Sequence, residues 1–322
     1  MKIRGGRDLK KPLVVLTGPT AVGKTELSIA LAKAINGEII SADSMQVYKQ
    51  MDIGTAKIMP DEMQGIPHYL VDELEPDEEF NVVKFKEYAN YYMEQIYKKG
   101  KIPILVGGTG FYIQAVLNDV DFEKNQEDNS IRENLTKFAN ENGAKALHDK
   151  LKAVDPKSAE NIHENNIKRV IRALEFWEQT GKRISDHNEK EKEKKSPYNF
   201  VYFVLTNDRK VLYDRINKRV DLMMKKGLLE EVTALKEKGY DRSLVSMQAI
   251  GYKEIYAYLE GEMTLEEAIY ILKRDTRHFA KRQLTWFRRE QEVTWVDKSQ
   301  FLDEKDVLEY CLSILQANNV LL

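Results

Sequence analysis

Apolar residues along this chain alternate between short continuous runs and longer stretches at helical spacing. Residues 12–17 (Pro-Leu-Val-Val-Leu-Thr) form a run of the kind that fills a strand buried on both faces. Residues 26–35 follow, with Leu27, Ile29, Ala30, Leu31 and Ala34 at helical spacing. A short run at 38–41 predicts a second strand, and residues 82–99 carry a long helical pattern. Residues 101–106 make another buried run, closed by Gly107-Gly108-Thr109-Gly110. The alternation resumes at 200–205, with Asn207-Asp208 as a helix start, and ends with a run at 293–296. Strands separated by helices imply a parallel sheet covered on both faces.

Between these blocks, residues 118–197 show no strand pattern. The segment is charged and helical over 131–140, 144–151 and 168–179, where Val170, Ile171, Leu174 and Trp177 share a face. It closes on Glu189-Lys-Glu-Lys-Glu-Lys-Lys195 before Ser196-Pro197, which reads as a solvated helix end or linker. The expected organisation is an α/β core formed by residues 1–117 and 198–322, with an all-helical domain, 118–197, inserted into it. No internal repeat is visible.

The bulk properties narrow the class. At 322 residues the chain exceeds one typical core, and 42% hydrophobic residues suit a globular protein. A net charge of −2 excludes binding of nucleic acid by overall charge, so any such binding needs a local patch. The single cysteine, Cys311, excludes a disulfide framework and a cysteine-based zinc site and fits a reducing compartment. No apolar run approaches a membrane span, and residues 1–8 lack a hydrophobic signal core. The expected location is the cytoplasm, and the expected state a monomer with no obligate protein partner.

The candidate chemistry starts between the first strand and the first helix. Gly18-Pro19-Thr20-Ala21-Val22-Gly23-Lys24-Thr25 fits G-x-x-x-x-G-K-[ST], the loop that wraps a di- or triphosphate. Its amides point inward beside the positive end of the helix dipole. Lys24 supplies a mobile charge for phosphate oxygens, and the Thr25 hydroxyl is placed to ligate Mg²⁺. The pattern therefore predicts a P-loop NTPase-like parallel sheet with flanking helices. A hydrolytic ATPase or GTPase usually closes a second strand with an acid that holds the metal. Here residues 104–106 run into Gly-Gly-Thr-Gly, and the acid that follows a strand is Asp43. In open parallel sheets ligands sit beyond the carboxyl ends of strands, so Asp43, Thr25 and residues 107–110 are expected to converge. Asp43 reads either as a metal ligand, a general base or a cap of the turn before Ser44.

Further basic segments lie in the second half. Residues 208–221 are helical and carry Arg215, Lys218 and Arg219, either a lid over phosphates or a solvated face. Lys273, Arg274, Arg277, Lys281, Arg282, Arg288 and Arg289 lie in one helical stretch with Phe279, Trp286 and Phe287 interleaved. That mixture suits a surface that tracks a nucleic-acid backbone and stacks unpaired bases, and equally a surface helix whose aromatics enter the core. His68 and His278 have no second ligand at metal spacing.

Several motifs occur in order: the glycine loop, Ile40-Ser-Ala-Asp43-Ser-Met-Gln46-Val-Tyr48, Asp52-Ile-Gly-Thr-Ala-Lys57, Gly65-Ile-Pro-His68-Tyr-Leu70, Gly107-Gly-Thr-Gly110, Lys168-Arg-Val-Ile-Arg-Ala-Leu-Glu175, Arg219-Val-Asp221, Gln248-Ala-Ile-Gly-Tyr252-Lys253 and Ala280-Lys-Arg-Gln-Leu-Thr-Trp286. As a set they resemble bacterial tRNA dimethylallyltransferases, also called tRNA isopentenyltransferases, from the glycine loop to about Arg289. The resemblance implies transfer of a dimethylallyl group from its diphosphate to N6 of the adenosine 3′ of the anticodon, with release of pyrophosphate. It implies that Asp43 is the general base and that Ser44, Met45, Gln46 and Thr109 touch the extruded nucleotide. It further implies that Arg219 and the glycine loop, with Mg²⁺ on Thr25, hold the diphosphate. Lys168, Arg169, Val170, Ile171 and Arg172, with Lys281, Arg282, Gln283, Leu284, Thr285 and Trp286, would hold the tRNA anticodon arm. Val22 replaces the serine or alanine often found in the loop, and His68-Tyr69 stands where many relatives have two histidines. No zinc finger of the eukaryotic type follows.

Three other readings use the same residues. A P-loop kinase of a nucleoside or small metabolite would need ATP, Asp43 and a lid arginine. A prenyltransferase acting on free adenosine nucleotides would leave the helical insertion and the basic aromatic helix without purpose. An RNA-binding P-loop protein would leave the acid and the metal ligand unexplained.

Overall fold

A computed structural model describes residues 10–122 and 130–321. The reading of residues 1–8 lies outside them. In chain order the elements are β1 (Lys11–Thr17), α1 (Lys24–Ala34), β2 (Gly37–Ser41), β3 (His68–Tyr69), α2 (Val82–Lys98), β4 (Ile102–Gly107) and α3 (Gly110–Leu117). Four helices follow: α4 (Ser130–Val154), α5 (Pro156–Asn161), α6 (Ile167–Thr180) and α7 (Ile184–Glu193). The chain then runs through β5 (Tyr198–Thr206), α8 (Arg209–Lys225), α9 (Leu228–Glu237), α10 (Tyr252–Leu259), α11 (Leu265–Phe287), β6 (Val293–Asp297) and α12 (Glu304–Ala317). It divides into two compact units, residues 1–117 with 197–322, and residues 118–196.

The first unit holds a six-stranded sheet in the order β3-β2-β4-β1-β5-β6, and every pairing is parallel. The central strand β1 has Leu13, Val14, Val15 and Leu16 sealed from solvent, which is why its sequence reads as an unbroken apolar run. Leu13 and Val15 face one core with Phe85, Ile113 and Tyr252; Val14 and Leu16 face the other with Leu31, Ile216 and Cys311. The parallel register places Thr17 beside both Gly107 and Val204. The chain ends that leave β1, β2 and β4 therefore emerge at one edge, and these ends carry the glycine loop, Asp43 and Thr109. Asp208 caps α8 by accepting from the amides of Lys210 (2.8 Å) and Val211 (3.2 Å). Cys311 is buried, and burial pushes its thiol up to about 12.

The second unit is built only of helices among its described residues. Leu135, Leu147, Leu151, Val170 and Leu174 form its core. The helices expected at 131–140 and 144–151 are both present within α4, separated at Gly143, whose φ of +84° and ψ of +164° are not helical. Phe176, not Trp177, is the buried aromatic of α6, packing 5.3 Å from the His187 ring. Asp155 fastens α5 to α7, accepting from Ser158 Oγ (2.7 Å) and Ser185 Oγ (2.7 Å). β3, α5, α9, α10 and α12 fall outside the elements predicted from the sequence, and α7 matches only the solvated helix end expected before Ser196, although Val307, Cys311 and Leu315 of α12 recur at helical spacing. β3 is two residues long, and α5 and α7 are short and polar, so neither makes a readable apolar stripe. Among the described residues no helix is long and apolar enough to cross a membrane.

Candidate active site

The glycine loop adopts a conformation that L side chains resist: Gly18, Ala21 and Gly23 have φ of +145°, +63° and +95°. A Cβ on Gly18 would lie 2.6 Å from the Leu205 carbonyl oxygen of β5. Val22 is fully buried in the core beneath the loop, so its side chain serves packing while its amide stays in the loop. The amides of residues 21–25 donate to no acceptor among the described residues. Unpaired amides over a helix N-terminus form an anion-binding concavity. The Lys24 ammonium folds back on the loop, donating to the carbonyls of Gly18 (3.0 Å) and Pro19 (2.9 Å). Burial, then the nearby Arg219 guanidinium, lower its pKa to about 8, against the opposing pull of Asp43.

Arg219 projects from α8 into the same place. Burial also lowers its pKa, opposed by Asp43, and it has no hydrogen-bonding or ion-pair partner among the described residues. A half-buried guanidinium without a partner beside a second cation is costly unless an anion joins them. Asp43 sits after β2. Its Oδ1 accepts from the amides of Met45 (2.9 Å) and Gln46 (3.4 Å), and no described residue donates to Oδ2. Asp43 therefore caps a turn and still presents a free oxygen. Asp43, Ser44, Met45, Thr109 and Arg219 line one cavity of about 360 Å³, which Thr20 and Arg282 also border. Thr25 opens instead to a larger cavity of about 1020 Å³, shared with Asp52, Lys57 and Glu231. Arg219 lines both.

The expected RNA-binding segment 281–286 divides by helix face. Lys281, Arg282 and Thr285 point outward from α11, whereas Gln283 is buried and Leu284 packs against the core. Gln283 bridges the two glycine turns: its Oε1 accepts from the Thr20 amide (2.9 Å) and its Nε2 donates to the Gly108 carbonyl (3.1 Å). A Cβ on Gly108 would meet this Nε2 at 2.1 Å, and one on Gly110 would meet the Trp286 ring at 2.3 Å. The second glycine turn thus lets α11 approach closely. Gln283 holds the two turns together from a buried position, while Leu284 and Trp286 are half-buried against the two cores. In the second unit Lys168 and Arg169 are exposed, whereas the side chains of Val170 and Ile171 are buried in the core, so these two are not available for contact with RNA. Arg172 is ion-paired with the buried Glu175 (2.9 Å), which also meets Arg132 (3.0 Å).

Sequence reasoning assigned no chemistry to the support behind the acceptor side. Glu231 of α9 accepts from the amides of Asp52 (2.9 Å), Ile53 (2.8 Å) and Gly54 (3.1 Å), and from the Tyr252 hydroxyl (2.6 Å). Gln46 then reaches the carbonyls of Thr55 (3.4 Å) and Ala56 (3.3 Å), which ties this loop to the Asp43 turn. Lys57 is buried among the Tyr48 carbonyl (2.6 Å), Asp52 (2.6 Å) and Asp72 (2.8 Å). The motifs 52–57 and 248–253 carry the signal for this support, but nothing in either shows that they meet through a glutamate outside both. His68 Nδ1 bonds the Ile66 carbonyl (2.8 Å) and lies within β3.

Fold and glycine loop together define a P-loop α/β protein with a candidate anion site at the carboxyl ends of its strands. The IPP transferase family model matches residues 46–290. The tRNA dimethylallyltransferase of Lachnoclostridium phytofermentans is 63% identical over 311 residues, 97% of this chain and 99% of that protein. That of Acetivibrio thermocellus is 53% identical over 297 residues, 92% of this chain and 95% of its own. The crystal structure of the full-length tRNA isopentenylpyrophosphate transferase from Bacillus halodurans superposes with a TM-score of 0.72 at 48% identity, over 96% of this chain and 98% of that one. A eukaryotic dimethylallyltransferase crystallised acting on tRNA gives a TM-score of 0.80 at 30% identity, over 96% and 80%. The chain belongs to the IPP transferase family.

Proposed function

We propose that this protein transfers the dimethylallyl group of dimethylallyl diphosphate to N6 of the adenosine 3′ of the anticodon in tRNA. The observation that carries the reading is one cavity in which a carboxylate with a free oxygen, Asp43, faces an unpartnered guanidinium, Arg219, beside a loop of unpaired amides. The curated relatives that cover nearly the whole chain are named tRNA dimethylallyltransferase, which supports the dimethylallyl transfer to tRNA.

In this reading the loop amides, Lys24 and Arg219 take the diphosphate. The C1–O bond breaks, and its electron pair leaves on pyrophosphate, where these cations neutralise the developing charge. The adenine N6 lone pair forms the new C–N bond, and the N6 proton passes to Asp43. Thr109 lines the same cavity and would touch the extruded base, with Ser44 and Met45 beside it. Mg²⁺ fits the donor set. Thr25 is exposed to a cavity that also holds Asp52 and Glu231, and no cluster of three ligating side chains occurs among the described residues. Such a site suits an ion completed by substrate phosphates, with Thr25 as the protein ligand. Bound there, the ion would supply charge stabilisation to the leaving pyrophosphate. Lys281, Arg282 and Thr285 of α11, with Lys168 and Arg169 of the second unit, are the outward groups proposed to hold the anticodon arm.

Nothing in the comparisons supports the kinase reading. A single experiment separates the candidates: incubate the protein with labelled dimethylallyl diphosphate and tRNA, AMP or no acceptor. Label is expected in tRNA alone. Label in AMP, or in neither, overturns the proposal.

A further inference from the structure

We propose that Met223 sets the length of the hydrocarbon that the donor diphosphate can carry, a reading that rests on the prenyl transfer proposed above. The larger cavity opens at Thr25 and runs past Ile53, Leu222 and Lys226; the smaller one contains Asp43 and Thr109. Arg219 and Met223 border both. They are four residues apart on α8, so they share a face and lie ~6 Å apart along the helix axis. Arg219 marks the diphosphate end, because its guanidinium has no hydrogen-bonding or ion-pair partner among the described residues and it borders the cavity that opens at Thr25 of the glycine loop.

The chemistry fixes the direction of the donor. C1 must lie between the leaving oxygen and an amine close to Asp43. Beyond C1, the branched end of the donor needs apolar walls, and the smaller cavity offers them in Ile216, Val220, Ile250, Leu272 and Met223. Ile216, Val220 and Leu272 are buried residues of the two cores flanking the sheet. Met223 alone of the five also borders the larger cavity, and it is half-buried against the main core. A five-carbon group ends at this wall. A second isoprene unit would have to pass Met223 into the larger cavity, where there is space for it. Met223 stands at the border of both cavities, so in this proposal its unbranched thioether closes the way between them and a shorter side chain would open it. The bonds made and broken are the same for either donor: C1–O breaks with its electrons on pyrophosphate, C1–N6 forms, and the N6 proton goes to Asp43.

The test uses tRNA with dimethylallyl diphosphate or geranyl diphosphate, the product being read by its mass. Wild type is expected to favour the five-carbon donor. Met223→Ala should raise the ten-carbon to five-carbon ratio of kcat/KM by about tenfold or more. Met223→Phe, which fills the passage further, should lower five-carbon kcat/KM by about tenfold or more while inhibition by inorganic pyrophosphate is unchanged. If Met223→Ala does not fold, the phenylalanine variant and the pyrophosphate measurement decide. An unchanged donor ratio in folded Met223→Ala, or wild-type five-carbon transfer by Met223→Phe, overturns the assignment of Met223 and leaves the proposed function standing. Failure of wild type to prenylate tRNA overturns both.

Discussion

At the residue scale the site is defined by charges that lack partners. Arg219 and the amides of residues 21–25 have none among the described residues, and Asp43 keeps one oxygen free. Asp43→Asn preserves the turn, since the amide oxygen still accepts from Met45, but it removes the proton acceptor. Loss of a general base costs about 10²–10⁴-fold in rate. Prenyl transfer at saturating substrates is expected to fall by that factor with tRNA affinity intact, and a rate within a few-fold of wild type refutes the assignment. Lys24 gives a pH dependence. Its pKa, lowered to about 8, means the free enzyme loses this charge as pH rises through 8. A bound diphosphate favours the charged form, so donor kcat/KM should decline above about pH 8, and donor binding there should take up a proton. Lys24→Arg should remove the decline, and a flat profile in wild type between about pH 7 and 9.5 would contradict the role. Stability runs the other way. Between the lowered value and the ordinary 10.5 the unfolded chain binds more protons, so the unliganded protein gains stability as pH rises across that window.

At the element scale the site depends on helices reaching back to loops from far along the chain. Glu231 of α9 accepts four hydrogen bonds, three from the amides of the loop that Gln46 ties to Asp43. Glu231→Ala leaves partly buried donors unpaired, which costs about 1–3 kcal/mol. Denaturant unfolding should show that loss, together with a lower kcat, while Tyr252→Phe should cost about 0.5–1.5 kcal/mol. Unaltered stability in Glu231→Ala would show that the latch does not hold the loop. This layer was the least legible in the sequence. Strands such as residues 12–17 and 101–106 announce themselves because burial on both faces demands unbroken apolar runs. The glycine loop announces itself because its backbone angles demand glycine. Gln283 and Glu231 give no such signal, for a polar residue on a helix reads as surface until its partner is known. Their partners stand 263 and about 178 positions away. Val170 and Ile171 show the converse: a motif marked the segment for RNA, while the helical period put these two on one apolar face with Leu174, the face the structure buries.

At the scale of the whole molecule the question is how a chain of net charge −2 holds a polyanion. The basic stretch of α11 contains more cations than are free to act. Lys273 is paired with Asp221 (2.6 Å), Arg274 with Asp275 (2.8 Å), and Arg277 donates to Asn217 (2.6 Å). Lys281, Arg282, Arg288 and Arg289 have no ion pair among the described residues, and Arg282 lies over the Phe279 ring while bordering the Asp43 cavity. The free cations therefore gather at the end of α11 that lies over the site, and RNA held there is oriented as well as attracted. Removing one cation that neutralises a phosphate flattens the log–log salt dependence by roughly 0.7–0.9. Neutralising Lys281 and Arg282 together, as Lys281→Gln with Arg282→Gln, should lower tRNA affinity and reduce the slope by up to twice that amount. Neutralising Lys273 and Arg274 should do neither, because their charges are already matched. Binding of dimethylallyl diphosphate in the first pair should stay at the wild-type level, since the glycine loop and Arg219 are untouched. Equal salt slopes for the two pairs would mean that free charge on α11 does not select the RNA surface, and that the binding cations lie elsewhere.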